Sequence, residues 1–168
     1  MMKNIDAKTS LLGFGCMRFP LNEDGSIHEE EAFAMLDKAY QAGVNYFDTA
    51  YPYHGGASEP VVGRALARYP RESFYLATKL PGSYMRDNKI SPEELFEGQL
   101  KKCGVDFFDF YLLHAVNRDI MKTFEADKSY EYLTEQKKLG RIKHLGFSYH
   151  GDLEFFIELI DKYKWDFV

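Results

Sequence analysis

Short apolar runs alternate along the chain with longer stretches in which apolar positions recur at helical spacing. VNYFDTA (44–50), FYLATKL (74–80), FDFYLLH (108–114) and IKHLGFS (142–148) read as strands, with further strand starts near 11 and at WDFV from 165. The starts fall about 30 residues apart until the last, which is the room that a strand, a helix and two short loops require. Between them, the stretch 29–42 places Phe33, Leu36, Ala39 and Tyr40 on one helical face, with Glu29, Glu30, Asp37, Lys38 and Gln41 mostly elsewhere. Ser26-Ile27-His28-Glu29 and Ser91-Pro92-Glu93-Glu94 have the form of capping boxes, the second with Pro at the first helical position. Gly43, Gly104 and Gly140 are placed to close helices just before a strand. The stretches 81–91 and 115–128 read as long loops.

Alternation of strand and helix predicts an α/β fold with a parallel sheet, and the strand runs are apolar enough to be buried on both faces. Periodicity leaves two closures open, a barrel and a doubly wound open sheet.

Composition narrows the function classes. The chain has 168 residues, 45% of them apolar and 16% aromatic, enough for a packed core. A formal charge of −5, with no run of like charges longer than Glu29-Glu30-Glu31, leaves no basic footprint for nucleic acid. No basic amphipathic segment points to a membrane surface, and no apolar run approaches the roughly 20 residues of a span. The start, MMKNIDAKTS, lacks the apolar centre of a signal peptide, so a cytoplasmic location is expected. Cys16 and Cys103 have neither C-x-x-C spacing nor a histidine cluster beside them, so no metal site and no disulfide framework is indicated. Cys103, on the helix that ends at Gly104, reads as a packing residue.

Against that background four polar residues stand out. Asp48, Tyr53, Lys79 and His114 fall at or just past the carboxyl ends of three consecutive strand runs or in the loops that follow them, Asp48 and Tyr53 at the first of the three. Catalytic groups collect at that edge of a parallel sheet. Taken singly, Lys79 with Asp48 reads equally as a buried ion pair and His114 as a satisfied core histidine. All four at one end are harder to obtain by packing, because charge placed in apolar runs carries a desolvation cost. Tyr46 and Tyr51 read as packing residues and His54 as a loop residue.

The segments FDTAYPYHGG, TKLP, YLLHAVN and GRIKHLGFSYHG, in this order and spacing from about Leu12 to the last residue, resemble the aldo-keto reductases. Within that family they most resemble the bacterial branch whose members often carry a carboxyl-terminal ferredoxin-like iron–sulfur extension. The resemblance chooses the closure, since the family's fold is a (β/α)8 TIM barrel. About five βα units and a sixth strand are present here, whereas a closed barrel has eight strands and typically about 250 residues. The expectation is therefore an amino-terminal portion of the barrel spanning 1–168. Its edges are expected to be open and apolar, and its oligomeric state is not legible.

The resemblance also implies a chemistry: hydride transfer from NADPH, or alternatively NADH, to a small aldehyde or ketone. An iron–sulfur cluster is implied only if an extension exists beyond this chain. Tyr53 is implied as the acid, Lys79 as the cation beside the phenol, Asp48 as the counter-ion of that lysine, and His114 as a hydrogen-bond donor to the carbonyl oxygen. A free phenol titrates near ~10, so an acid of this type needs a cation nearby. Gly15, Cys16, Met17 and Arg18 resemble the turn that passes under the cofactor, where Cys16 could line the site. Asp48 and Ser148 complete the implied cofactor set, with Tyr149 and His150 standing where relatives commonly continue a Ser-Asn pair. There is no G-x-G-x-x-G and so no Rossmann signature. Two other readings stay in view, a nucleotide-binding or regulatory module without turnover and an aldolase using Lys79 as a Schiff-base amine.

Overall fold

The computed structural model describes residues 5–168; the first four residues of the amino-terminal stretch examined for a leader lie outside the described part. Five strands, β1 (Phe14–Gly15), β2 (Tyr46–Asp48), β3 (Tyr75–Leu80), β4 (Phe108–Val116) and β5 (Ile142–Tyr149), form one sheet in the order β1-β2-β3-β4-β5. Every neighbouring pair is parallel. Seven helices follow or separate them: α1 (Glu29–Gln41), α2 (Ser58–Leu66), α3 (Gly82–Asn88), α4 (Pro92–Cys103), α5 (Arg118–Ala126), α6 (Ser129–Lys138) and α7 (Leu153–Lys162).

The strand order decides between the two closures. A doubly wound sheet reverses its order at a switch point, whereas here each crossover steps to the next strand in the same direction. Crossovers of one hand stepping one way carry their helices to one face. That face holds the large core, where Phe47, Leu76, Leu80, Tyr111, Leu113 and Phe147 pack on helical side chains such as Leu36, Val62, Phe96 and Leu133. The other face is lined by Ala77, Phe110 and Leu112, with Tyr46, Tyr75 and Phe167 against them. This is the arrangement of a (β/α)8 TIM-barrel wall, and it explains why the strand runs are apolar on both faces.

At the amino-terminal end of the strands, residues 5–10 close over this inner face. Lys8 N donates to Tyr75 Oη at 3.0 Å, and Asn45 clasps the segment by accepting from Ser10 N at 2.7 Å and donating to Lys8 O at 2.9 Å. A cavity of about 350 Å³ remains there, lined by Ile5, Ala7, Tyr46, Phe110 and Phe167 among others.

Several elements differ from the sequence pattern. The first strand does not begin near 11; it is only Phe14–Gly15, because Ser10, ahead of it, is held by Asn45. The sixth strand is a single parallel bridge between Gly146 and Phe167. Ser26 caps no helix. Its hydroxyl is spent on Asp24 inside a tight turn closed by the Leu21–Ile27 bridge, and His28 caps α1 instead, Nδ1 accepting from Glu31 N at 3.2 Å. Ser91 does cap α4, accepting from Glu94 N at 3.1 Å. The two supposed loops hold helices. Residues 81–91 contain α3, and 115–128 contain α5, capped by Asn117 accepting from the amides of Asp119 and Ile120. On α1 Leu36 is buried as expected and Ala32 with it, whereas Phe33, Ala39 and Tyr40 of the expected face are half-buried against the core; Gly104 ends α4 at φ 65°, a left-handed position that costs glycine nothing.

Candidate active site

The parallel register sets the site. Gly15 pairs with Asp48, Asp48 with Ala77, and Lys79 with Leu112. Side chains alternate along a strand, so Asp48 and Lys79 share the inner face with Leu112, while Phe47, Thr78 and Tyr111 face the helices. Asp48 ends β2, Lys79 is one residue from the end of β3, and His114 lies near the end of β4. Tyr53 stands on a short 3-10 turn, Tyr53–Gly56, just after β2. The four residues expected to converge do so.

Lys79 is 5% exposed, and its Nζ donates to Asp48 Oδ1 at 2.6 Å, to Thr49 O at 2.8 Å and to Tyr53 Oη at 3.2 Å. An ammonium has three hydrogens, and three acceptors surround it. Tyr53 Oη therefore receives a hydrogen from Lys79 and keeps its own to offer elsewhere. The His114 ring stands edge-on to Tyr53 at 5.9 Å between centroids and 82° between planes. Burial pushes His114 down to about 4, with the charge of Lys79 adding to it, so the imidazole is neutral at neutral pH. Burial raises the Asp48 carboxyl and the ammonium opposes that rise.

His114 is aimed by an irregular strand end. The β4–β5 register shifts between Leu113 and Val116, and Ala115 adopts φ 53°, a bulge of the kind that redirects a side chain. Ser148 Oγ accepts from Ala115 N at 2.8 Å and so braces the bulge. The serine keeps its own hydrogen in that bond. Tyr149 Oη donates back to Asp152 O, and His150 is exposed.

After β1 the chain turns beside Asp48. Cys16 N donates to Asp48 O at 2.8 Å, and Cys16 O accepts from Ser58 Oγ at 2.9 Å. Cys16 is fully buried and burial pushes its thiol up, so its sulfur packs and does not line the cleft. Gly15, Met17 and Arg18 are exposed. The open turn, with its backbone tied on both sides, and the Ser148 hydroxyl are groups that could hold the amide end of a nicotinamide.

Sequence reasoning missed the layer behind the site. Glu59, fully buried on α2, accepts from Thr78 Oγ1 at 2.7 Å and from Gln99 Nε2; Gln99 also donates to Lys79 O at 3.1 Å and accepts from Tyr111 Oη. The Thr49 and Ser58 hydroxyls meet at 2.8 Å. These contacts fix the backbone that carries Lys79 and Asp48. The available signal was charge and amide at positions whose neighbours are apolar. Among the described residues no group of three or more His, Cys, Asp or Glu side chains is arranged to hold a metal ion, and no helix is long and apolar enough to cross a membrane.

Residues 11–167 match the Aldo/keto reductase family. "Probable aldo-keto reductase 1" of Glycine max is 33% identical over 151 residues, 84% of this chain and 42% of that protein. "NADH-specific methylglyoxal reductase" of Escherichia coli is 27% identical over 139 residues, 73% of this chain and 42% of that protein. Among solved structures, the holo form of aldo-keto reductase AKR11C1 from Bacillus halodurans superposes with a TM-score of 0.75 at 28% identity, covering 95% of this chain and 52% of its own. The chain thus spans about half the length of the proteins it matches.

Proposed function

This chain belongs to the aldo/keto reductase family, and on that premise we propose that it carries the proton-donating half of an NAD(P)H-dependent reduction of a small aldehyde or ketone. Tyr53 is the acid. Lys79 is the cation that stabilises the charge left on the phenol oxygen when its proton departs, Asp48 holds that cation in place, and neutral His114 hydrogen-bonds the carbonyl oxygen. The observation that supports this reading most is the coordination of Lys79 Nζ by Asp48, Thr49 O and Tyr53 Oη. With all its hydrogens engaged, the ammonium leaves the tyrosine proton no local acceptor, and the proton is presented to whatever occupies the cleft. The same coordination is unsuited to a free amine that would attack a carbonyl, which disfavours the Schiff-base reading.

When bound, a nicotinamide cofactor supplies the hydride. Gly15, Met17 and Arg18 are the positions proposed to lie against it, with Cys16 as the buried support of the turn and Asp48 and Ser148 beside it. NADPH is the assigned cofactor; the relative named for NADH keeps that alternative within the family. We read the described units as the amino-terminal portion of an eight-stranded barrel in the cytoplasm. The GFSYHG segment favours the branch with an iron–sulfur extension, whose cluster would be held by residues outside this chain.

The experiment is an NADPH titration with carbonyl reduction followed in parallel, on wild type and Tyr53→Phe. The variant is expected to bind cofactor within about twofold of wild type and to lose roughly 10²- to 10⁴-fold in turnover, the usual share of a positioned acid. Undiminished turnover in the variant would place the acid elsewhere. Binding without turnover in the wild type would identify a nucleotide-binding module instead.

A further inference from the structure

His54 follows Tyr53 directly and has no part in the chemistry above, yet the geometry around it is demanding. It is a non-glycine residue at φ 53°, opening three consecutive positive-φ residues with Gly55 at 62° and Gly56 at 94°. Side chains adopt that region at a cost and keep it where the surroundings impose it. What imposes it here is a bond across the site: Phe19 N donates to His54 Nε2 at 3.0 Å, and the two rings stack at 5.7 Å. Phe19 is 4% exposed and ends the turn that begins at Cys16.

The 53–58 segment therefore grips the 16–19 turn at both ends. Ser58 Oγ holds Cys16 O at 2.9 Å and His54 Nε2 holds Phe19 N at 3.0 Å. Only Met17 and Arg18, between the two grips, are exposed. We propose that His54 is a positioning residue that couples the turn proposed to carry the nicotinamide to the phenol of Tyr53, so that seating a ligand on residues 17–18 and aiming the acid are one event. The inference rests on the reductase reading for its ligand, but the coupling itself belongs to this chain's own residues.

Two substitutions separate the bond from the backbone. Asn is comfortable at positive φ but too short to reach Phe19 N, so His54→Asn relieves the backbone and removes the acceptor. Gln is less comfortable there but places an oxygen near the position of Nε2, so His54→Gln does the reverse. The readouts are exchange protection of the Phe19 amide and the ¹³Cζ resonance of Tyr53, identified by its absence in Tyr53→Phe, both on the 168-residue chain, and NADPH affinity in a full-length version. In His54→Asn the Phe19 amide is expected to lose protection, the Tyr53 resonance to move, and NADPH to bind roughly three- to tenfold more weakly, what one neutral hydrogen bond is worth. In His54→Gln all three are expected to return toward wild type. A Tyr53 resonance that stays put in His54→Asn, or a Gln variant that restores nothing, overturns the coupling. Failure of a full-length version to bind NADPH counts against the reductase reading, while the amide and tyrosine signals of the 168-residue chain still decide the coupling.

Discussion

The two ends of the sheet each hold a cation–carboxylate pair, one between strands β2 and β3 and one between the turn that leads into β3 and strand β4, and they are built for opposite purposes. At the amino-terminal end Arg71 meets Asp109 at 2.6 Å, Asp109 also accepts from Leu76 N at 2.9 Å, and the guanidinium donates to Phe74 O and Phe107 O and lies 4.1 Å from the Phe107 ring centroid. Its partners are carboxylate, backbone and a packed ring, none of them a proton donor to a substrate, and its buried Nε finds no partner. At the carboxyl end Lys79 meets Asp48 at an equal 2.6 Å, but its third partner is a phenol with a hydrogen to spare. Pair geometry alone does not mark a site. A partner with a proton to give does.

Removing the cation at each end breaks the comparison most directly. Lys79→Met is expected to cut carbonyl reduction by roughly 10²-fold or more, because the charge developing on Tyr53 loses its stabiliser; steady-state kinetics beside a denaturation curve would check it. Arg71→Met is expected to lower unfolding free energy by roughly 3 kcal/mol, since it strands a mostly buried carboxylate, without moving the Tyr53 or His114 resonances. If instead Arg71→Met shifts those resonances, the two ends are not independent.

An effect of at most comparable size, spread over a pH window, sharpens the contrast. His114 has a folded value of about 4, below the ordinary 6.5. Between those values the unfolded chain binds more protons, so the contribution of His114 to stability is fully present above pH 6.5 and is lost as pH falls toward 4. Relative to His114→Gln, the wild type should lose up to roughly 3 kcal/mol across that window. Parallel stability curves from pH 7 to 4 would overturn the assignment of a neutral, buried imidazole.

The functional end was the more legible in sequence, for a physical reason. Asp48, Lys79 and His114 are polar residues closing apolar runs, which is visible in the sequence, although it is the register pairing Asp48 with Ala77 and Lys79 with Leu112 that puts the first two on one face. Their supports were not legible, because Gln99 reaching Lys79 O, or Phe19 N reaching His54, joins residues far apart in sequence whose meeting depends on register and helix placement. The positive φ of Ala115 left no trace in composition. Among the elements, α5 could have been found: Asn117 is a cap, and Ile120, Met121 and Phe124 follow at helical spacing, with Met121 and Phe124 buried. The helix α3 is shorter and opens on Pro81-Gly82, the usual signature of a turn.

The plain strand order has a consequence for how the site comes into being. Each strand pairs with the one before it in the chain, so every closure spans a similar modest loop and no strand waits for a distant partner. Asp48 and Tyr53, then Lys79, then His114 come from three successive units in chain order. During synthesis, which runs at about 5–20 residues per second, the carboxylate and the phenol emerge first, the ammonium that joins them follows with the third strand, and the imidazole follows with the fourth. The site is thus assembled like a queue, and a nascent chain stalled between β3 and β4 should already hold the Asp48–Lys79–Tyr53 contact.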